Sequence, residues 1–284
     1  MPKRTIAPVL LCLLLAAAAL VAATAARAAT PAQIVERLNA ERTANGIPGG
    51  IVLDPAWTLG CEHHVRYEEL NGIRWTHEEL PGKPGFTKDG QLAGLAGDQA
   101  YNGSFDSRNP FDTLPLHLAS LLQPTLARVG AFERGGRTCI RIVPGNTRHI
   151  ARNTIYGAAA GGRAHVPTSE RVHGEWPASP GDVVGLPQGT TTGPTLYVFA
   201  SGPWLVEQPL KLEHAELEGP EGTIAIRSVS PRVRAKIRPY VAPGVFFLIP
   251  VSPLRPGTRY TATVTVAGGA GTRLTRSWRF VTAG

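Results

Sequence analysis

Two stretches decide how this chain reads: Trp75-Thr76-His77-Glu78-Glu79-Leu80-Pro81-Gly82-Lys83-Pro84-Gly85-Phe86-Thr87 and Pro115-Leu116-His117-Leu118-Ala119-Ser120-Leu121-Leu122-Gln123-Pro124-Thr125-Leu126-Ala127-Arg128-Val129-Gly130. The first follows a helical pattern. Asp54-Pro55 supplies a cap and a proline at the first helical position, Trp57, Cys61 and His64 recur at i, i+4 and i+7, and Asn71-Gly72 stops the run. Upstream, Thr30-Pro31-Ala32-Gln33 is a capping-box pattern, Ile34, Val35 and Leu38 form an apolar stripe, and Gly46 and Pro48 end the helix. The second stretch predicts a helix over Pro115–Leu122. Strands follow over Val129–Phe132 and Thr138–Val143, with Arg134-Gly135-Gly136-Arg137 as the turn between them.

The N-terminus has the form of an export signal. Lys3 and Arg4 precede an apolar run from Val9 to Ala23, and Ala26-Arg27-Ala28 is a small-x-small cleavage site. A mature chain beginning near Ala29 is expected in the secreted or cell-envelope compartment, with no integral membrane part once the signal is removed. The formal charge of +8 comes from 29 basic and 21 acidic residues, and losing Lys3, Arg4 and Arg27 leaves 26 against 21. The remaining charge is mild and dispersed, without the stripe that a nucleic-acid partner requires. Cys12 leaves with the signal. Cys61 and Cys139 then read as one disulfide in an oxidising compartment; the alternative is Cys61 as a nucleophile with His64 on the same helix face.

The elements from Thr30 to Gly145 resemble the CAP superfamily (cysteine-rich secretory, antigen 5 and pathogenesis-related class 1 proteins) in its bacterial form. The resemblance is carried by Leu38-Asn39-Ala40-Glu41-Arg42, Gly46-Ile47-Pro48, His64, Tyr67, Asn71-Gly72 and the segment His117 to Gly130. It implies an α-β-α sandwich and a pocket of two His and two Glu able to hold a divalent cation. Carried over residue by residue, His77 and His117 take the two His positions. Gly90-Gln91-Leu92 is the match to the family's Gly-Glu motif, so an amide replaces a carboxylate, and the second Glu has no counterpart, Asp106 and Asp112 being nearby but outside any matching motif. Glu78 and His64 are further candidates for the pocket. With two imidazoles and no matching carboxylate, the resemblance implies at most weak binding of a metal such as zinc by His77 and His117. Otherwise no cofactor is expected.

Beyond Tyr156 the composition shifts to Gly, Pro, Ser and Thr, including Glu175-Trp176-Pro177, and this stretch reads as a long connector. From Pro194 onward, six segments alternate with period two: Thr195–Ala200, Leu210–Leu217, Thr223–Ser228, Gly244–Val251, Arg259–Val266 and Leu274–Val281. With Pro256-Gly257-Thr258-Arg259-Tyr260 and Trp278-Arg279-Phe280 they resemble bacterial Ig-like modules. The expected fold is therefore α+β: a signal at 1–28, a CAP-like α-β-α domain at 29–150, a connector at 151–193 and an all-β Ig-like sandwich at 194–284. Glu78-Glu79 reads as a solvated edge. Gly-x-Ser-x-Gly, His-Glu-x-x-His and phosphate-loop signatures are missing. The expectation is a non-enzymatic binding protein for a small-molecule, lipid, peptide or cell-wall ligand; the alternative is a secreted hydrolase working through the His pocket.

Overall fold

The structure, a computed structural model, describes residues 28–151, 153–201, 210–230, 237–268 and 271–284. The export signal expected before Ala28 lies outside the described residues. Among the described residues no helix is long and apolar enough to cross a membrane.

Helix α1 (Pro31–Ala44) starts where Thr30 and Gln33 cap each other. It buries Ile34, Val35 and Leu38 along one stripe, and with them Arg42. Among the described residues the Arg42 guanidinium has no carboxylate partner; it donates to the carbonyls of Pro48 at 3.0 Å, Leu121 at 2.7 Å and Gln123 at 2.8 Å. Hydrogen bonds from a charged donor contribute about 1.5–3 kcal/mol each, so Arg42 clamps α1 to a distant loop. Helix α2 (Pro55–Leu70) is capped by Asp54, α3 (Lys88–Leu95) by Thr87, and α4 (Pro115–Leu121) is short. Strands β1 (Val52–Leu53), β2 (Gly97–Tyr101), β3 (Arg128–Arg134) and β4 (Arg137–Arg141) form a sheet in the order β1-β3-β4-β2, in which only the β1–β3 pairing is parallel. Gly135 and Gly136, both at positive φ, make the β3–β4 turn. A disulfide joins Cys61 on α2 to Cys139 on β4, with Cα atoms 5.4 Å apart.

The remaining strands are β5 (Thr154–Ala159), the ribbon β6 (Glu170–Arg171) and β7 (Thr191–Thr192), β8 (Leu196–Ser201), β9 (Lys211–Gly219), β10 (Gly222–Thr223), β11 (Ile226–Val229), β12 (Val245–Pro250), β13 (Arg259–Ala267) and β14 (Arg273–Val281), with the one-turn helix α5 (Pro180–Val183) among them. They build two four-stranded sheets, β10-β9-β13-β14 and β11-β12-β8-β5, whose inner faces share a core containing Val198, Phe246, Leu248, Val264, Trp278 and Phe280.

The expected α-β-α sandwich followed by a separate β module is overturned. Strands dominate the described chain, fourteen against five helices. Only α2 and α3 make a helical layer, packing on the β4 face that carries Cys139. The other face of the first sheet is covered jointly by α1, the short α4 and the second half of the molecule. Ile34, Leu38, Leu118, Ala131 and Ile140 share one core with Tyr197, Phe199 and Phe247. Strands β8 and β12 are thus buried on both faces, Tyr197 and Phe247 facing the first core while Val198 and Phe246 face the second. The expected connector is also overturned in part, because β5 pairs along its length with β8 as a strand of the shared sheet. Gly157 is what lets β5 lie there: a Cβ at that position would stand 2.2 Å from the Trp278 ring.

Candidate functional site

The loop after α2 is held from below by a buried polar network. Glu68 Oε1 accepts the Thr76 N–H at 2.8 Å, and the Tyr67 hydroxyl accepts the Leu80 N–H at 3.0 Å. His64, wholly buried, sets Nε2 2.9 Å from the Thr76 carbonyl and Nδ1 3.0 Å from Glu79 Oε1. Glu79 in turn accepts the Thr87 N–H at 3.0 Å, while its own N–H donates to Gln91 Oε1 at 2.7 Å. Burial is the main cause that pushes the Glu68 carboxyl up to about 8. Gly94 lets α3 approach this network, since a Cβ there would lie 2.5 Å from the His64 ring.

Above the network the loop lines a cleft of about 750 Å³ with Trp75, Thr76, His77 and Glu78. The opposite walls are the α3–β2 corner (Leu95 to Asp98), α4 (Leu116, His117, Ser120), Ile142-Val143, and Trp176 with Tyr240. His77 and His117 stack with centroids 6.1 Å apart and planes 16° apart. The His77 Nδ1–H donates to the Gly94 carbonyl at 2.9 Å. Burial, with repulsion from His117 and His64, holds its pKa below the usual imidazole value despite that hydrogen bond. His117 Nδ1 lies 2.6 Å from Glu175 Oε1, which also accepts the His117 backbone N–H at 3.0 Å. Burial opposes protonation of His117, but the Glu175 hydrogen bond and the charges of Glu175 and Asp98 outweigh it, and its pKa is raised. Asp98 is buried beside them and accepts the Ser120 hydroxyl. Burial lifts its carboxyl to about 6, against the lowering effects of His117 and Ser120. Trp176 meets Tyr240 edge-on at 4.6 Å and His77 at 5.5 Å. Trp75, Trp176 and Tyr240 are each about half exposed.

Of the residues singled out from the sequence, His77, His117 and Glu78 line this cleft. His64 and Gln91 do not; they are struts of the network beneath it, because α2 and α3 turn their faces toward the loop rather than toward the opening. Glu79 is no solvated edge: its side chain is fully buried against His64. Asp112 does not line the cleft; it lies in an interior group where burial first and Glu41 second push its carboxyl up to about 8. Asp98 and Glu175 were missed. Gly97-Asp98 was legible as a glycine followed by a carboxylate, had Asp been admitted for Glu in the motif. Glu175 carried no periodic signal, lying in irregular chain 58 residues from His117. Among the described residues no group of three or more His, Cys, Asp or Glu is placed to hold a metal ion.

No known family's sequence profile matches the chain. No curated protein matches it either. A solved structure of a DUF4426 family protein from Pseudomonas aeruginosa is similar at 11% identity over 48% of this chain and 92% of that one, with a TM-score of 0.28, too distant to carry an argument.

Proposed function

We propose that the protein is an exported, non-enzymatic binding protein whose cleft takes a small ligand with an apolar body, and that the cleft is related to the CAP-type pocket. The observation that carries this reading is the cleft itself. It has the volume of a small-molecule site, with Leu95, Leu116, Ile142 and the rings of Trp75, Trp176 and Tyr240 around a small polar floor. The pairing of His77 and His117 with two buried carboxylates, Asp98 and Glu175, supports the CAP resemblance, which here concerns the pocket and not the layers of the fold. The test is a titration with N-phenyl-1-naphthylamine, a neutral apolar fluorophore. One molecule should bind per chain, and Trp176→Ala with Leu116→Asp should weaken it at least tenfold; no binding, or equal binding by the variant, overturns the reading.

A second reading, a secreted hydrolase, is favoured by one observation: Glu175 orients His117 at the cleft wall, as a general acid–base pair requires. The Ser120 hydroxyl is held by Asp98 and by the His117 carbonyl rather than by an imidazole, and Cys61 is tied in the disulfide, so among the described residues neither of these nucleophiles is paired with His117. Turnover of an ester or peptide library by the wild type, abolished in His117→Gln, would replace the first reading by this one.

A further inference from the structure

We propose that the ligand of this cleft carries a primary alkylammonium group, seated between the aromatic walls and the carboxylates Glu78, Asp98 and Glu175. The inference rests on the binding reading above and names the chemistry of the ligand.

Charge is the first reason. The chain carries 29 Lys and Arg residues and a formal +8, yet the cleft wall includes Glu78 and Asp98 and, among the described residues, no Lys or Arg. His117 meets one carboxylate directly through its contact with Glu175, and burial lowers the His77 pKa, which disfavours a positive charge on that ring. One imidazole, His117, thus faces two buried carboxylates, Glu175 and Asp98, and among the described residues Glu78 has no ion-pair partner at the cleft. Shape is the second reason. The edge-on corner of Trp176 and Tyr240, with Trp75 across His77, presents ring faces of the kind that attract organic cations.

The third reason is an unmet acceptor. Glu175 lines an annex of about 230 Å³ that shares Trp75, His117 and Trp176 with the main cleft. Its side chain is fully buried, and while Oε1 serves His117, Oε2 has no hydrogen-bond partner. Gln99, on the same annex wall, is also buried with both its amide oxygen and its amide nitrogen unpartnered, so it offers the annex a donor as well as an acceptor. A buried carboxylate oxygen without a donor is costly, and an ammonium brings three donors and no acceptor. Arg74, at the annex edge, turns its guanidinium over the Tyr101 ring, 6.0 Å from the centroid.

Calorimetry on the intact protein at low salt, with hexylammonium and its neutral counterpart 1-hexanol, tests this. Hexylammonium should bind at least tenfold more tightly. Glu78→Gln, at the exposed rim, and Asp98→Asn, at the floor, should each reduce that preference to under threefold without changing hexanol affinity. Nα-acetyl-lysine amide and dihexanoylphosphatidylethanolamine then separate a peptide source of the ammonium from a lipid source, the tighter of the two naming it. Equal affinity for hexylammonium and hexanol, or a preference unchanged in both variants, overturns the ammonium while leaving an apolar binding site. Failure of hexylammonium, hexanol and the naphthylamine probe alike overturns the binding reading too.

Discussion

Replacing Asp98 by Asn should stabilise this protein at neutral pH. Asp98 is buried, with Ser120 as hydrogen-bond donor and His117 as its nearest cation, and burial lifts its carboxyl from 3.8 to about 6. Two pKa units correspond to about 3 kcal/mol of differential interaction between the two protonation states. Because the folded pKa lies above the unfolded one, the folded state binds this proton more readily. The stability contributed by Asp98 is therefore complete below about pH 4 and lost as pH rises through about 6. Asn keeps an oxygen to accept the Ser120 hydroxyl and removes the charge, so the variant should match the wild type near pH 4 and exceed it by about 3 kcal/mol at pH 7. Urea unfolding at intervals from pH 4 to 7, analysed by linear extrapolation at a common m-value, measures the gap. Glu68, Asp112 and Glu170 also have raised pKa values, but they are common to both proteins and cancel in the difference. A gap that stays flat to within about 0.5 kcal/mol across this range refutes the reasoning, since Asp98 would then be hydrated and the cleft floor open. A residue that weakens the fold in order to place a charge at the cleft fits a site selected for binding rather than for stability.

Glu175→Gln should bring the His117 pKa down, because the carboxylate that raises it is replaced by a neutral amide; NMR titration of the imidazole Cε1–H reads the shift, and an unchanged midpoint contradicts the pairing. Removing the disulfide by Cys61→Ala with Cys139→Ala, across a sequence separation of 78, should cost about 4.5 kcal/mol by loop entropy, measured as a drop in the denaturation midpoint at unchanged m. Residues 28–150 produced alone should fail to fold cooperatively, because Tyr197, Phe199 and Phe247 complete the core that Ile34 and Leu38 begin. A sharp thermal transition for that fragment, by circular dichroism, would show instead that its core closes without the second half.

Local chemistry was legible in the sequence alone. The capping box at Thr30, the Asp54-Pro55 start, the Gly135-Gly136 turn and the alternation along Arg259–Ala267 each depend on a few adjacent residues, and each sits at the element it predicted. The pairing of Cys61 with Cys139 was legible as well, and His77 and His117, named from a family resemblance, both line one cleft. What only the tertiary structure decided is how the layers meet. Tyr197-Val198-Phe199 and Val245-Phe246-Phe247-Leu248 are continuous apolar runs, the pattern of strands buried on both faces, but that pattern does not say which second core they serve. The same holds for charge. Whether Glu79, Asp98 and Glu175 are solvated or buried depends on segments 15 to 58 residues away, His64, Ser120 and His117, that close over them only in the folded chain. Periodicity records the face a residue turns toward its own element's neighbours; partners brought together by long-range packing leave no spacing to read.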